Sequence, residues 1–264
     1  MIDILKEISE NKLREVQALF SSCESRRNMN LSAMCCRKPT RSLKKAILKN
    51  NTEGLPGIIA EFKRRSPSKG DIAPMKDVKT IVTQYQQAGA SGCSVLTDTR
   101  FFGGSIADFA VAKKCLSLPI LRKDFILKEV QVSESRLMGA DVILLIASLL
   151  TRPQIRVFTR TAHSFGMEVL LEIHSEKEIK KIIPEVDMVG VNNRALSSFT
   201  TDISHSGELY DKLPRECVKI AESGIKTPED IKRLKEIGYH GFLIGETFMK
   251  SDCPEEEVRK FLNI

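Results

Sequence analysis

The chain has 264 residues, 42% of them hydrophobic, which is enough to bury a large core without disulfides or a structural metal. Its 41 basic and 34 acidic residues leave a net charge of +7, which favours an anionic ligand or a solvated basic face. Nucleic-acid binding is disfavoured, because no interleaved aromatic residues or recognised binding motif accompany the charges. Part of the basic excess lies early in the chain, in Arg26, Arg27, Arg37, Lys38, Arg41, Lys44 and Lys45.

Seven cysteines are scattered along the chain without a CxxC pair. This pattern is typical of reduced thiols in a cytoplasm rather than of a disulfide framework. The longest apolar stretch, Val142 to Ala147, is far too short to cross a bilayer, and the first residues have no apolar signal core. We therefore expect a cytoplasmic protein without a membrane partner.

The first part of the chain differs in character from the rest. Apolar residues recur at helical spacing from Asp3 to Phe20, which predicts an amphipathic helix. A polar stretch follows, and Ser42 to Leu48 is predicted as a second, short helix. Because no Pro/Gly linker follows, we expect residues 1 to about 50 to be an extension packed on a single domain of residues 1–264.

From Gly57 onward, short apolar runs alternate with helix-like segments, and several of these segments end on a glycine such as Gly89 or Gly238. Such alternation is typical of parallel strands with crossover helices. A doubly wound sheet uses similar units, but no GxGxxG follows the first strand, so we predict a (β/α)8 TIM barrel with an N-terminal helical extension. The predicted strands cover 58–60, 93–96, 120–121, 142–146, 169–171, 188–191, 218–221 and 242–244, and the clearest helices 78–88, 106–116, 152–165 and 228–237.

The active site of such a barrel lies at the C-terminal ends of its strands. A lone charged residue there is most simply a solvated strand end or a structural ion pair. Several charged residues at the same end of the barrel favour general acid–base chemistry, because crowded charges shift one another's pKa values. The residues that converge in this way are Glu61, Lys63, Lys123, Glu172 and Glu222.

The loops after the strands suggest a binding site for an anionic group and an apolar wall. Gly224 and Gly245 let backbone N–H groups approach a phosphate, although they also suit simple turns. Phenylalanines after the second and third strands are usually core residues, but here they offer a wall for an aromatic ring; they are Phe101, Phe102 and Phe125. The four histidines lack ligand-like spacing, so no metal site is expected, and His174 is interpreted as a packing or surface residue.

Several segments resemble the indole-3-glycerol-phosphate synthase family of tryptophan biosynthesis. The most specific matches are Ile59–Gly70 (IAEFKRRSPSKG) and Phe101–Ser105 (FFGGS), and the resemblance runs in register through all eight strands. It implies a carboxy-lyase that closes the ring of 1-(2-carboxyphenylamino)-1-deoxyribulose 5-phosphate with loss of CO2 and water. It implies no cofactor. Further matches are VLTD (95–98), LRKDFI (121–126), ILLIA (143–147), LE (171–172), GVNNR (190–194), AESGI (221–225) and LIGE (243–246).

The resemblance also implies roles for single residues. Lys123 is similar to the general acid that protonates the ribulose carbonyl, Lys63 to a second lysine that helps to hold the substrate carboxylate, and Glu172 to the acid–base partner of dehydration. Glu61 and Glu222 resemble glutamates that orient the substrate and the lysines. The remaining implied residues are Asn192 in the catalytic set, Arg194, Ser223, Phe101 and Phe125 for substrate binding, and Ser66, Gly224, Gly245 and Glu246 for phosphate binding.

Two other functions are compatible with a barrel of this kind. A phosphoribosyl isomerase favours an acid–base pair, often with cysteine or aspartate, where this chain has Glu61 and Glu222 with lysines beside them. A barrel that serves only as a binding or scaffold module would be expected to lose its strand-end residues, which are intact here. We therefore expect an enzyme with a small phosphorylated substrate, no nucleic-acid partner and a monomeric state.

Overall fold

The computed structural model describes residues 4–195 and 200–264, and in them eight parallel strands close into a barrel whose order follows the chain. A short antiparallel hairpin of β2 (Arg65–Ser66) and β3 (Gly70–Asp71) lies in the loop after the first strand. The TIM-barrel prediction is confirmed. The barrel strands are β1 (Gly57–Phe62), β4 (Gly92–Leu96), β5 (Ile120–Lys123), β6 (Val142–Ile146), β7 (Glu168–Ile173), β8 (Met188–Asn192), β9 (Val218–Glu222) and β10 (Gly241–Ile244).

Helices alternate with these strands, and their ends follow local chemistry. The helix that begins at Pro228 has a capping box between Thr227 and Asp230, and it ends at Gly238 in the left-handed conformation (φ 119°). The helices are α1 (Ile4–Leu19), α2 (Cys23–Cys35), α3 (Leu43–Thr52), α4 (Val78–Ala88), α5 (Thr99–Phe102), α6 (Ile106–Cys115), α7 (Val130–Met138), α8 (Arg152–Ser164), α9 (Glu176–Ile179), α10 (Ser204–Tyr210), α11 (Pro228–Ile237), α12 (Glu246–Lys250) and α13 (Pro254–Leu262).

Most predicted elements have their expected places. Helices α4 and α11 have the predicted bounds, and each predicted strand lies within an observed one. The first predicted helix corresponds to α1, although Asp3 lies outside the described residues. Helix α2 is not predicted by its polar composition; Ser22 caps its first turn, and Asn30 accepts a 2.6 Å hydrogen bond from Ser133 of α7.

The barrel strands are buried on both faces, which explains their continuous apolar runs. Helix α3 covers the N-terminal end of the barrel, where glycines at strand starts let it approach. A Cβ added at Gly92 would lie 2.4 Å from Leu43, and one added at Gly57 would lie 2.6 Å from Ile47. Helix α1 lies at the opposite end, with Ile8 buried among apolar residues of the barrel interior.

Part of the early basic cluster attaches the extension to the barrel. Lys38 donates a 3.0 Å hydrogen bond to the carbonyl of Leu137 in α7, and Arg41 donates one of 3.0 Å to the carbonyl of Leu118 after α6. Carbonyl groups near helix C-termini attract cations, so these two charges have structural partners. In the part of the chain that the structure describes, no helix is long and apolar enough to span a membrane.

Candidate active site

A cavity of about 750 Å³ opens at the C-terminal ends of the barrel strands. Every residue assigned from the sequence lines it except Phe101, so the convergence expected from the strand ends is present in the fold. The roles assigned to these residues remain predictions. The lining residues so assigned are Glu61, Lys63, Ser66, Lys123, Phe125, Glu172, Asn192, Arg194, Glu222, Ser223, Gly224, Gly245 and Glu246.

Lys123, the last residue of β5, lies between two buried carboxylates. Its Nζ is 2.9 Å from Glu172 Oε2 and 3.3 Å from Glu222 Oε2. Glu172 is the last residue but one of β7 and Glu222 is the last of β9, and their exposed fractions are only 4% and 1%. An ammonium group between two carboxylates, in a cavity partly shielded from water, can transfer protons to and from a bound ligand as the charge of the ligand changes.

The three groups perturb one another's pKa values. Burial would lower the pKa of Lys123, but Glu172 and Glu222 raise it, so the side chain stays an ammonium. Burial would raise the pKa of Glu172, but Lys123 and His174 hold it well below its ordinary value. Burial raises the pKa of Glu222 to about 8, with repulsion from Glu172 opposing the attraction of Lys123. Near neutral pH the cluster therefore contains a proton donor next to an ionised acceptor.

Gly190 of β8 provides the space for Glu222. A Cβ added at Gly190 would lie 2.1 Å from Glu222 Oε1, so a larger residue would displace the carboxyl group. In the described part of the chain, Glu222 Oε1 has no hydrogen-bond partner. This oxygen is therefore buried against Gly190 without a hydrogen-bond partner, which favours the protonated, uncharged form of the carboxyl group.

Glu222→Gln is expected to stabilise the protein while impairing catalysis. Between the ordinary glutamate pKa and about 8, the folded protein holds a proton that the unfolded chain has released, so its stability falls as pH rises. Glutamine removes this ionisation, and we expect a melting temperature higher by roughly 5 °C at pH 8. Thermal unfolding at pH 5 and pH 8 measures the effect. Equal melting shifts in Glu222→Gln and in Glu236→Gln, an exposed control on α11, would contradict it.

Glu61 and Lys63 form a second ion pair at the end of β1. The Glu61 side chain is buried against β10, and a Cβ added at Gly245 would lie 2.6 Å from Glu61 Oε1. Gly245 therefore lets this carboxylate stand at the wall of the cavity. The structure shows a packing reason for a glycine that the sequence associates with phosphate binding.

The end of the cavity near β8, β9 and β10 is basic. Ser223 and Gly224 have consecutive left-handed backbones (φ 65° and 80°), which turn the chain so that this loop lines the cavity. For a serine, φ in this region is strained, and such strain is common at functional sites. The basic side chains that line the cavity here are Lys69, Arg194, Lys226 and Lys250.

Arg194 connects the loop after β8 to the loops after β1 and β10. It donates a hydrogen bond to the Ser68 hydroxyl and lies 3.7 Å from Glu246. Lys250 pairs with Glu246 at 2.8 Å, and although burial would raise the pKa of Glu246, these cations lower it. Asn192 Oδ1 accepts a 3.0 Å hydrogen bond from the Arg194 backbone N–H, which holds the turn that presents the arginine.

Two phenylalanines form an apolar wall on the opposite side of the cavity. The rings of Phe102 and Phe125 have centroids 5.8 Å apart, and both line the cavity. Phe101 does not: it is buried in the interior, with the Arg100 guanidinium 5.2 Å from its ring. Phe101, predicted to contact the substrate, therefore does not line the cavity, whereas its neighbour Phe102 does.

His174 is a cavity residue whose role was underestimated from the sequence. Its Nε2 lies 3.1 Å from Glu172 Oε1, and its side chain is 6% exposed. The sequence does contain an indication of this placement, because residues two apart on a strand share a face. Glu172 near the end of β7 and His174 directly after it have this spacing. Within residues 4–195 and 200–264, no three His, Cys, Asp or Glu residues are grouped to hold a metal ion.

A family model for indole-3-glycerol phosphate synthase matches residues 5–261. The chain belongs to this family. The indole-3-glycerol phosphate synthase of Bacteroides thetaiotaomicron is 44% identical over 99% of this chain and 98% of its own length. That of Neisseria meningitidis serogroup B is 41% identical over 98% of this chain and 99% of its own.

A solved structure supports the fold independently. The 3-hexulose-6-phosphate synthase of Salmonella typhimurium superposes with a TM-score of 0.62 at 14% identity, covering 78% of this chain and 96% of that one. At this identity the likeness concerns the barrel alone.

Proposed function

We propose that this barrel is an indole-3-glycerol-phosphate synthase that converts 1-(2-carboxyphenylamino)-1-deoxyribulose 5-phosphate to indole-3-glycerol phosphate, CO2 and water. The observation that carries the proposal is the placement of Lys123 between two buried carboxylates, 2.9 and 3.3 Å away, inside a cavity with one basic and one aromatic side. The substrate has matching parts: a carbonyl to protonate, an anionic end and an aromatic ring.

The binding orientation follows from the barrel order. Strands β4 and β5, which lead to Phe102 and Phe125, lie across the barrel from β8 and β9. The carboxyphenyl ring contacts the two phenylalanines, and Leu5 and Ile8 of α1 complete the apolar side. The phosphate binds at the basic end, where Ser66 and the backbone of Gly224 and Gly245 contact it and Arg194 and Ser223 position the sugar phosphate.

Ring closure uses the Lys123 ammonium as a general acid. The ring carbon that bears the carboxylate attacks the ribulose C2 carbonyl, a carbon–carbon bond forms, and the carbonyl oxygen takes a proton from Lys123. Loss of CO2 then returns its bonding electron pair to the ring and restores aromaticity. Lys63, paired with Glu61, holds the substrate carboxylate until it leaves.

Dehydration uses the carboxyl groups. The new C2 hydroxyl leaves as water after protonation, and a base removes a proton from C1 to form the double bond of indole. Glu172, kept ionised by Lys123, serves as the acid–base partner of this step, and Glu222, which carries a proton near neutral pH, orients the substrate and Lys123. Asn192 holds the Arg194 turn and contacts the substrate.

Purified protein given the carboxyphenylamino-deoxyribulose phosphate is expected to produce an indole fluorescence signal and one CO2 for each indole. The assay is run with a chelator, so that contaminating metal contributes nothing. Folded protein that binds this substrate without turnover would contradict the proposal, and phosphoribosyl isomerase substrates would then be tested.

We also propose that the chain works as a single-domain monomer in the cytoplasm. Every group that the proposed mechanism uses comes from one chain, so the site needs no partner subunit. All seven cysteines are free thiols, which suits a reducing compartment.

A further inference from the structure

Lys12 is a buried lysine that the proposed mechanism does not use. It lies on α1 with an exposed fraction of 5%, and its Nζ is 3.2 Å from Asp98 and 3.0 Å from Asp124. Glu15 on the same helix is 2.8 Å away. Burial would lower the pKa of Lys12, but these carboxylates raise it, so the side chain is charged. A buried charge with this many partners fixes the elements that supply them.

The two aspartates belong to the loops that carry the aromatic wall. Asp98 caps α5 by accepting a 2.8 Å hydrogen bond from the Phe101 N–H, and α5 ends with Phe102. Asp124 lies between Lys123 and Phe125, and its Oδ1 accepts a 2.8 Å hydrogen bond from the Phe125 N–H. One ammonium group therefore joins the two loops whose rings face the cavity.

Lys12 also fixes α1 against the cavity. Ile8 lies one helical turn before Lys12 on the same face, and Leu5 lies near it; both line the cavity. Two other polar contacts of α1 to this region are exposed, namely Arg100 with Glu7 at 3.1 Å and with Asn11 at 3.0 Å. Exposed pairs contribute little, so the buried lysine is a stronger polar anchor of the helix than either of them.

We propose that Lys12 is a positioning residue that holds α1 and the two phenylalanine loops together as the ring-binding side of the active site. This inference rests on the proposed function for the identity of the ring. Lys123 has its own partners, Glu172 and Glu222, so the reacting groups keep their places when Lys12 is removed. The effect should fall on ring binding rather than on chemistry.

Lys12→Met is expected to raise KM roughly tenfold while kcat changes less than about threefold. Affinity for 2-aminobenzoate, a probe of the ring side, should fall by a similar factor. Affinity for inorganic phosphate, a probe of the basic end, should stay the same. Titration calorimetry of the two probes and steady-state kinetics measure these quantities.

The matched control is Lys113→Met. Lys113 is also a largely buried lysine, 2.8 Å from the fully buried Asp141, but this pair lies at the N-terminal end of the barrel. The Lys113→Met substitution should lower the melting temperature and leave KM and both probe affinities unchanged. If Lys12→Met does not fold, Lys12→Met with Asp98→Asn replaces it, because asparagine still caps α5 and Asp124 keeps its 3.1 Å contact to Arg122.

A purely structural role for Lys12 would overturn the inference. It would appear as a fall in kcat as large as the rise in KM, or as weaker binding of both phosphate and 2-aminobenzoate. The same changes in KM and probe affinity in Lys113→Met would also indicate it. Failure of the proposed reaction is distinguishable, because wild-type protein would then lack turnover while the probe titrations still report on Lys12.

Discussion

Lys123→Met is expected to lower kcat by roughly 10³-fold or more, which is the range that loss of a positioned proton donor produces. Methionine keeps most of the side-chain volume of lysine, so the cavity stays filled while the proton donor is lost. Glu172 and Glu222 then face each other without the ammonium between them, 2.9 and 3.3 Å from its former position. They are expected to share a proton, as paired buried carboxylates do.

Binding should survive this change better than catalysis. The groups proposed to hold the phosphate and the ring belong to other loops, so the dissociation constant of the product should change by less than about fivefold. The control is Lys250→Met, which removes another lysine from the cavity lining but does not touch the Lys123 cluster. Near-normal kcat in Lys123→Met, or an equal loss in Lys250→Met, would remove Lys123 from the role of general acid.

The barrel and the convergence of its strand ends follow from local sequence. Alternating apolar runs and helices leave few topologies, and parallel strands bring all their C-terminal residues to one side. Glu61, Glu172 and Glu222 could therefore be assigned to one cavity without any contact information. Capping signals are equally local, which is why α4 and α11 have the predicted bounds.

Contacts between distant segments were not predictable in this way. Lys12 looks like a polar position on an amphipathic helix, because its aspartate partners lie more than eighty residues later in the chain. The choice between Phe101 and Phe102 depends on how the short α5 turns, which no periodicity specifies. Helix α2 has little apolar character of its own and depends on its contacts with α7.

The pKa perturbations also arise from long-range contacts. A glutamate at a strand end gives no indication of its protonation state. Glu172 and Glu222 stand at equivalent places in the sequence pattern, but their pKa values move in opposite directions. Burial would raise the pKa of Glu172, but Lys123 and His174, which lies 3.1 Å away, lower it. Burial and the neighbouring Glu172 raise the pKa of Glu222 against the attraction of Lys123.

Glu172→Gln is expected to separate ring closure from dehydration. Glutamine has the shape of glutamate but cannot accept the proton that dehydration releases, so kcat should fall by about 10²- to 10³-fold. Lys123 keeps Glu222 as a partner and can still protonate the carbonyl. In single-turnover experiments, CO2 release should therefore precede the indole signal, whereas the two should coincide more closely in the wild type.

Glu178→Gln is the matched control for this change. Glu178 is another glutamate that follows β7; it accepts a 2.7 Å hydrogen bond from the backbone N–H of His174, but it does not line the cavity. It should leave both traces unchanged. If CO2 release and indole formation slow in parallel in Glu172→Gln, Glu172 acts before or during ring closure, and the dehydration base must be another group near Lys123. Glu222 would then be the next candidate, because its second oxygen has no partner among the described residues and its pKa places it close to neutrality.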